Sequence, residues 1–198
     1  DLHIAPGERV AILYRTNAQS RQMEEALRRY NVPYVVVGGT SFYQRAEIKD
    51  AMSYLKLSLL LRDSISLNRV VNTPARGIGK TTMDYVEQHA AQQRMSTWDA
   101  IGDLLEKKTL ASRAEAALAA FRRLMTELHE MALTRPVSEV MEAILERTGY
   151  RRMLEQDKAV ENESRLENLN ELLNAAAEAA ERGEGVAEFL DHAALVAD

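Results

Sequence analysis

Cysteine is absent from the sequence, so disulfides and thiolate metal sites are excluded, and the composition fits the cytoplasm. No apolar run approaches the 18 or so residues that a membrane-crossing helix needs, and no segment has the pattern of a secretory signal. The four histidines, His3, His89, His129 and His192, show no i,i+3 or i,i+4 pairing, which argues against a metal site on one helix. Excess positive charge is missing too. A formal net charge of −5 argues against a protein that coats nucleic acid by bulk electrostatics, so any such contact must be local. Two local basic groups are present: Arg15, Arg21, Arg28 and Arg29 near the start, and Arg69, Arg76 and Lys80 further on. With 46% hydrophobic and 28% charged residues, the 198-residue chain has an ordinary globular composition and room for one large or two small domains.

The stretch NTPARGIGKTT (72–82) raises the question of a phosphate-binding loop. The G-x-x-x-x-G-K-[ST] pattern needs a glycine five residues before its second one, and here that position is Pro74, which has no N–H and a fixed φ. The segment before it, DSISLNRVV, suits a short helix better than the buried strand such a loop follows. A second reading takes residues 65–72 and 80–91 as helices joined by TPARGIG in a helix-hairpin-helix-like turn. In that reading Pro74 stops the first helix, Gly77 and Gly79 take positive φ, and Ile78 plugs the angle between the helices. Backbone N–H groups at the turn and at the second helix's N-terminus would then suit a phosphate, with Arg76 and Lys80 adding charge. Such contacts hold a nucleic-acid backbone without reading its bases. The glycines could equally serve the connection alone, and Thr81 with Asp84 forms a capping pair that would occupy Thr81 within its own helix.

Along the chain, VAILY (10–14) and YVVV (34–37) read as short buried strands. Between them lies a helix carrying Met23, Ala26 and Leu27 and opened by a Thr16/Gln19 box. This is one βαβ unit, which cannot complete a parallel sheet alone, so its remaining strands are expected from sequence not present here. From residue 44 onward the pattern is helical. Stripes recur at Ile48, Met52, Leu55 and Leu59, and at Leu118, Phe121, Met125, Leu128 and Met131 of a long helix near 111–132. Others run through Val137, Val140, Met141, Ile144 and Leu145, through Leu166, Leu169, Leu172 and Leu173, and through Val186, Phe189, Leu190 and Ala193. Helix starts are expected at Ser96/Asp99, Ser112/Glu115 and Ser164/Glu167. The fold class is therefore mainly α with a small α/β part: a partial βαβ unit followed by an all-helical domain. In RAEIKD, Glu47, Lys49 and Asp50 read as a solvated helix face. Trp98 reads as core, and Phe42 and Tyr43 as packed at a junction.

Several segments together resemble consecutive blocks of the UvrD/PcrA-type superfamily 1 DNA helicases: VAILYRTNAQSRQMEEAL, VPYVVVGGTSFYQRAEIKDAMSYLKL, RVVNTPARGIGKTTMD and ESRLENLNELL. The resemblance covers almost the whole chain in order. It implies a division into residues 1–62, part of the second RecA-like motor domain, and 63–198, a helical accessory subdomain inserted in it. The chain thus resembles an excised middle of a longer motor. The family's activity is ATP-driven 3′-to-5′ translocation on single-stranded DNA and duplex unwinding in repair. By resemblance Arg15 and Asn17 lie where the motor touches the single strand. Thr73, Arg76, Gly77, Ile78, Gly79, Lys80 and Thr81 match the element that touches duplex DNA. Relatives often carry a basic residue where this chain has Ser41, and SRLEN either orients a loop through Arg165 or caps its helix.

The resemblance also implies rotation of the accessory part about a junction near residues 60–64. ATP and Mg²⁺ belong to the parent enzyme. No phosphate loop, magnesium ligand or water-positioning residue for phosphoryl transfer is recognisable, so the chain alone is not expected to be an enzyme. The expected partners are single-stranded and duplex DNA and the rest of the motor, with no membrane. The competing reading is a protein-interaction module that docks a repair partner through its acidic, Ala- and Leu-rich C-terminal helices.

Overall fold

The computed structural model describes residues 7–157 and 159–197; His3 lies outside them. Among the described residues the regular structure is helical: α1 (Ser20–Arg29), α2 (Ala46–Leu59), α3 (Ser64–Val70), α4 (Lys80–Gln93), α5 (Thr97–Lys107), α6 (Ser112–Thr134), α7 (Val137–Arg147), α8 (Tyr150–Gln156), α9 (Val160–Glu181) and α10 (Val186–Ala197). Short 3₁₀ turns at Asn17–Gln19 and Phe42–Gln44 lead into α1 and α2. Among the described residues no helix is long and apolar enough to cross a membrane.

Helix α2 is the centre of the packing, touching α3, α6, α7, α9 and α10. The apolar stripes explain why. Ile48 and Leu55 of α2, Leu118, Phe121, Met125 and Leu128 of α6, and Leu169 and Leu172 of α9 are all buried, and so is the whole α7 stripe. Each such side chain contributes about 1.5–3 kcal/mol of burial, far more than helix propensity supplies. Trp98 is a core residue as expected, and Phe42 and Tyr43, read from the sequence as packed at a junction, are buried too. The guanidinium of Arg122 lies 4.6 Å from the Trp98 ring and donates to the Trp98 carbonyl at 2.6 Å.

Helix ends follow local chemistry. Ser96 caps α5 by accepting from the Asp99 N–H, and Gln19 Oε1 accepts from the N–H groups of Arg15 and Thr16. Two expected starts are displaced: Ala111 is the N-cap of α6, and α9 begins at Val160, leaving Ser164 inside the helix. Neither cap uses a side chain. Arg135 is extended because Pro136 follows it, which separates α6 from α7.

The two expected strands are not formed. Residues 8–14 and 32–37 have no regular structure and pair in no ladder among the described residues, and most of their apolar side chains stand open, Leu13 at 92% and Val35 at 85% exposure. A run of β-branched residues becomes a strand only when neighbouring backbone pairs with it. With α1 and part of α9, the two segments instead wall a cleft of about 1380 Å³.

Helix α1 is also turned differently from the reading of its apolar residues: it buries Ser20, Arg21 and Glu24, and Met23 is exposed. Arg21, at 2% exposure, donates to Glu171 at 2.8 Å and Glu178 at 3.0 Å on α9 and pairs with Glu25. Burial opposes its charge, but these carboxylates outweigh it and hold the guanidinium ionised more firmly than in water.

Asp63 caps α3, accepting from the Ile65 and Ser66 N–H groups and the Ser66 hydroxyl, and it pairs with Lys56 at 3.1 Å. Burial pushes its carboxyl up, but the Ser66 and Lys56 bonds outweigh that and hold it below the ordinary carboxylate value. A depressed folded-state pKa means stability that is present above the unfolded value near 4 and lost as pH falls through the folded one. Asp63→Ala should therefore cost about 1 kcal/mol at pH 7, and urea denaturation should show that gap narrowing as pH falls below about 4.

Candidate functional site

The residues singled out in the sequence fall into two patches. Arg15 and Asn17 are exposed on the turn that opens α1. Thr73, Arg76, Gly77, Ile78, Gly79, Lys80 and Thr81 lie on the connection from α3 into α4. The first patch is held from the start of α2, because Arg45, which precedes that helix, donates to the Asn17 carbonyl at 2.8 Å. The second is held nine residues further on, where the Tyr54 hydroxyl donates to the Val70 and Thr73 carbonyls. A helix rises about 1.5 Å per residue, so the two anchoring points lie about 14 Å apart along α2.

Within the second patch, Ile78 is 1% exposed and fills the angle as expected, and Gly77 has φ +77. Gly79 differs: it is the N-cap of α4 with an extended backbone at φ −82, ψ 171, a conformation open to any residue. Since the cap is Gly79, Thr81 lies in the first turn of α4, is exposed, and is not used as a capping side chain. The Asn72 side-chain oxygen accepts from the Arg76 and Ile78 N–H groups at 2.8 and 3.2 Å. Two donors that the sequence offered to a phosphate are therefore spent inside the turn. The N–H groups of Gly79, Lys80 and Thr81 have no protein acceptor among the described residues, and all three residues face solvent.

Arg76 points inward. One terminal nitrogen donates to the Val70, Val71 and Pro74 carbonyls at 3.1–3.3 Å, and the other to the Tyr54 hydroxyl at 2.7 Å and the Thr148 carbonyl at 3.2 Å. Its carbon lies 5.8 Å from the Tyr54 ring centroid and 5.5 Å from that of Phe121. Burial pushes the Tyr54 hydroxyl up to about 12, with the Arg76 charge pulling back. Arg76 therefore ties the connection to α2 and to the α7–α8 junction.

The solvent-facing charge at this patch comes instead from Lys80 and from a residue that sequence reasoning missed. A Cβ built on Gly77 would lie 3.6 Å from the guanidinium of Arg113, which is exposed in the first turn of α6. Arg113 is 32 or more residues from the turn in sequence, so only packing reveals the neighbourhood. Nor do these residues make a triphosphate cradle: Pro74 replaces the first glycine, and Asn72 and Ile78 fill the interior of the turn. Among the described residues no cluster of three or more His, Asp or Glu could hold a metal.

RAEIKD is not a solvated face. Glu47 is buried and accepts from Asn168 of α9 at 2.6 Å, and Asp50 accepts from Arg69 at 2.7 Å and from the Tyr150 hydroxyl at 2.6 Å. The Asp50 carboxylate and burial together push the Tyr150 hydroxyl well above its ordinary value, burial most. In SRLEN and the residues after it, Asn168 makes the connection, whereas Arg165 stays local with Glu161 and Asn162.

Arg76→Ala should destabilise the chain by about 2–4 kcal/mol, since it removes the donor to the Val71, Pro74 and Thr148 carbonyls, while Lys80→Ala should stay within about 0.5 kcal/mol. Urea denaturation of the two variants side by side checks this.

A family model for the UvrD-like helicase C-terminal domain matches residues 3–198. The chain is 42% identical over 192 residues to DNA helicase II of Escherichia coli, covering 94% of this chain and 27% of that protein. It is 40% identical over 191 residues to the ATP-dependent DNA helicase PcrA of Bacillus subtilis, covering 96% of this chain and 26% of that protein. Against PcrA of Staphylococcus epidermidis it is 37% identical over 193 residues, with 96% and 26% covered. The chain thus spans about a quarter of the length of these curated relatives.

Proposed function

Because the chain belongs to the UvrD-like helicase C-terminal domain family, we propose that it is the DNA-holding part of an ATP-dependent helicase that translocates 3′ to 5′ on single-stranded DNA and unwinds duplex in repair. The turn at Arg15 and Asn17 touches the single strand. The connection at residues 73–81 grips the phosphate backbone of the duplex. The observation that carries this reading is the convergence at that connection of three unpaired N–H groups, from Gly79, Lys80 and Thr81, with the exposed cations of Lys80 and Arg113. Donors at a helix start and nearby positive charge suit phosphate oxygens without reading bases. ATP and Mg²⁺ are taken up elsewhere in the parent motor.

The division into a partial motor domain, 1–62, and a helical accessory subdomain, 63–198, belongs to the same proposal, as does rotation about the junction near 60–64. The burial of α2 among α3, α6, α7, α9 and α10 favours counting α2 with the helical body. Docking of a repair partner on the acidic C-terminal helices is the weaker reading, because Glu171 and Glu178 of α9 are already engaged by Arg21.

The test is fluorescence anisotropy with a duplex bearing a 3′ single-stranded tail at two salt concentrations. Binding by this chain should be salt-sensitive, with a dissociation constant on the order of 10⁻⁴–10⁻⁶ M. Lys80→Ala should weaken it and flatten the salt dependence by about one phosphate contact. Equal binding by Lys80→Ala and wild type at both salt concentrations would overturn the duplex role of this connection.

A further inference from the structure

The contacts beneath the Arg15–Asn17 turn form a chain of buried polar groups that crosses from α9. Asn168, at 3% exposure, donates from its amide nitrogen to Glu47 at 2.6 Å, and its oxygen accepts from Arg45 at 2.8 Å. The same terminal nitrogen of Arg45 donates to the Asn17 carbonyl at 2.8 Å, and the other donates to the Ser20 hydroxyl at 2.6 Å. The guanidinium carbon also lies 5.3 Å from the Phe42 ring centroid. Beside it, Glu24 accepts the Phe42 N–H at 3.1 Å.

The turn is thereby clamped on two sides. Gln19 holds the Arg15 and Thr16 N–H groups from one side, and Arg45 holds the Asn17 carbonyl from the other, while the Arg15 and Asn17 side chains stay exposed. Burying a guanidinium is costly unless every donor is used, and burial does push the Arg45 pKa down against the pull of Glu24 and Glu47. Packing alone would be served by an apolar residue. A buried arginine aimed at a main-chain carbonyl of a surface turn instead sets that turn's shape.

We propose that Arg45 and Asn168 are positioning residues for single-strand binding, holding the Asn17 backbone so that Arg15 and Asn17 meet the strand already ordered. The proposal rests on the reading that this turn touches the strand. A preformed loop avoids the ordering cost that a mobile one meets on binding. The duplex-facing connection is anchored separately through Tyr54 and Arg76, so it is independent of this clamp.

The experiment measures dissociation constants of the 198-residue chain for a single-stranded oligonucleotide and for a blunt duplex, with thermal melting of every variant. The variants are Arg15→Ala, Asn168→Ala, Arg45→Lys and Tyr150→Phe. Tyr150→Phe removes the hydrogen bond to Asp50 elsewhere on α2 and controls for lost stability. Arg15→Ala should weaken single-strand binding directly. Asn168→Ala and Arg45→Lys should weaken it about fivefold to tenfold, the worth of one well-placed hydrogen bond, with duplex binding unchanged. Tyr150→Phe should lower the melting temperature and leave both affinities alone.

If Arg15→Ala weakens binding while Asn168→Ala and Arg45→Lys match wild type, the clamp is overturned and the strand reading stands. If Arg15→Ala itself matches wild type, the strand reading fails and takes the clamp with it. If single-strand and duplex affinities fall together, or Tyr150→Phe loses as much strand binding as Asn168→Ala, the clamp is overturned in favour of general stability.

Discussion

The polar groups along α2 are the constraint on which the arrangement depends. An apolar helix at the centre of a bundle would pack well but could rotate or slide with little penalty. Here Arg45 and Glu47 engage Asn168 of α9, Asp50 engages Arg69 of α3 and Tyr150 of α8, and Tyr54 engages the α3–α4 connection and Arg76. Because each of these groups is at least partly buried, losing its partner costs more than the hydrogen bond itself is worth. One register of α2 satisfies them all, and each candidate DNA contact is anchored to that helix at its own point, the first through Arg45 and the second through Tyr54.

Hydrophobic periodicity made much of this bundle legible in the sequence. The α7 stripe of Val137, Val140, Met141, Ile144 and Leu145 is buried throughout, and Ile78 fills the turn as its flanking glycines suggested. The segments at 10–14 and 34–37 form no strand because composition reports what a strand would contain, while a ladder depends on a neighbouring backbone. The burial of Arg21 on α1 was invisible for a related reason: its partners Glu171 and Glu178 on α9 lie about 150 residues away, while Glu24 is buried against the nearer Phe42 N–H and Tyr34 hydroxyl.

At the candidate connection, residues that look alike in sequence take different places in the fold. Arg76 and Lys80 look alike in the sequence as cations flanking glycines, yet one is a structural tie and the other faces solvent. Charge in a turn is usually solvated, and only the stacked carbonyls of Val70, Val71 and Pro74 reveal the exception. Asp50 and Glu47 show the same failure on a helix, where i,i+4 spacing suggested a solvated face and tertiary partners overrode it. Arg113 was beyond reach because nothing local marks it.

Amide hydrogen exchange of Tyr54→Phe against wild type tests the central claim most directly, since it removes one hydroxyl from α2 and changes little else. The account predicts faster exchange confined to residues 71–79, with α2 and α9 protected as before. Unchanged exchange across 71–79 would contradict it, showing that the connection holds its shape without α2.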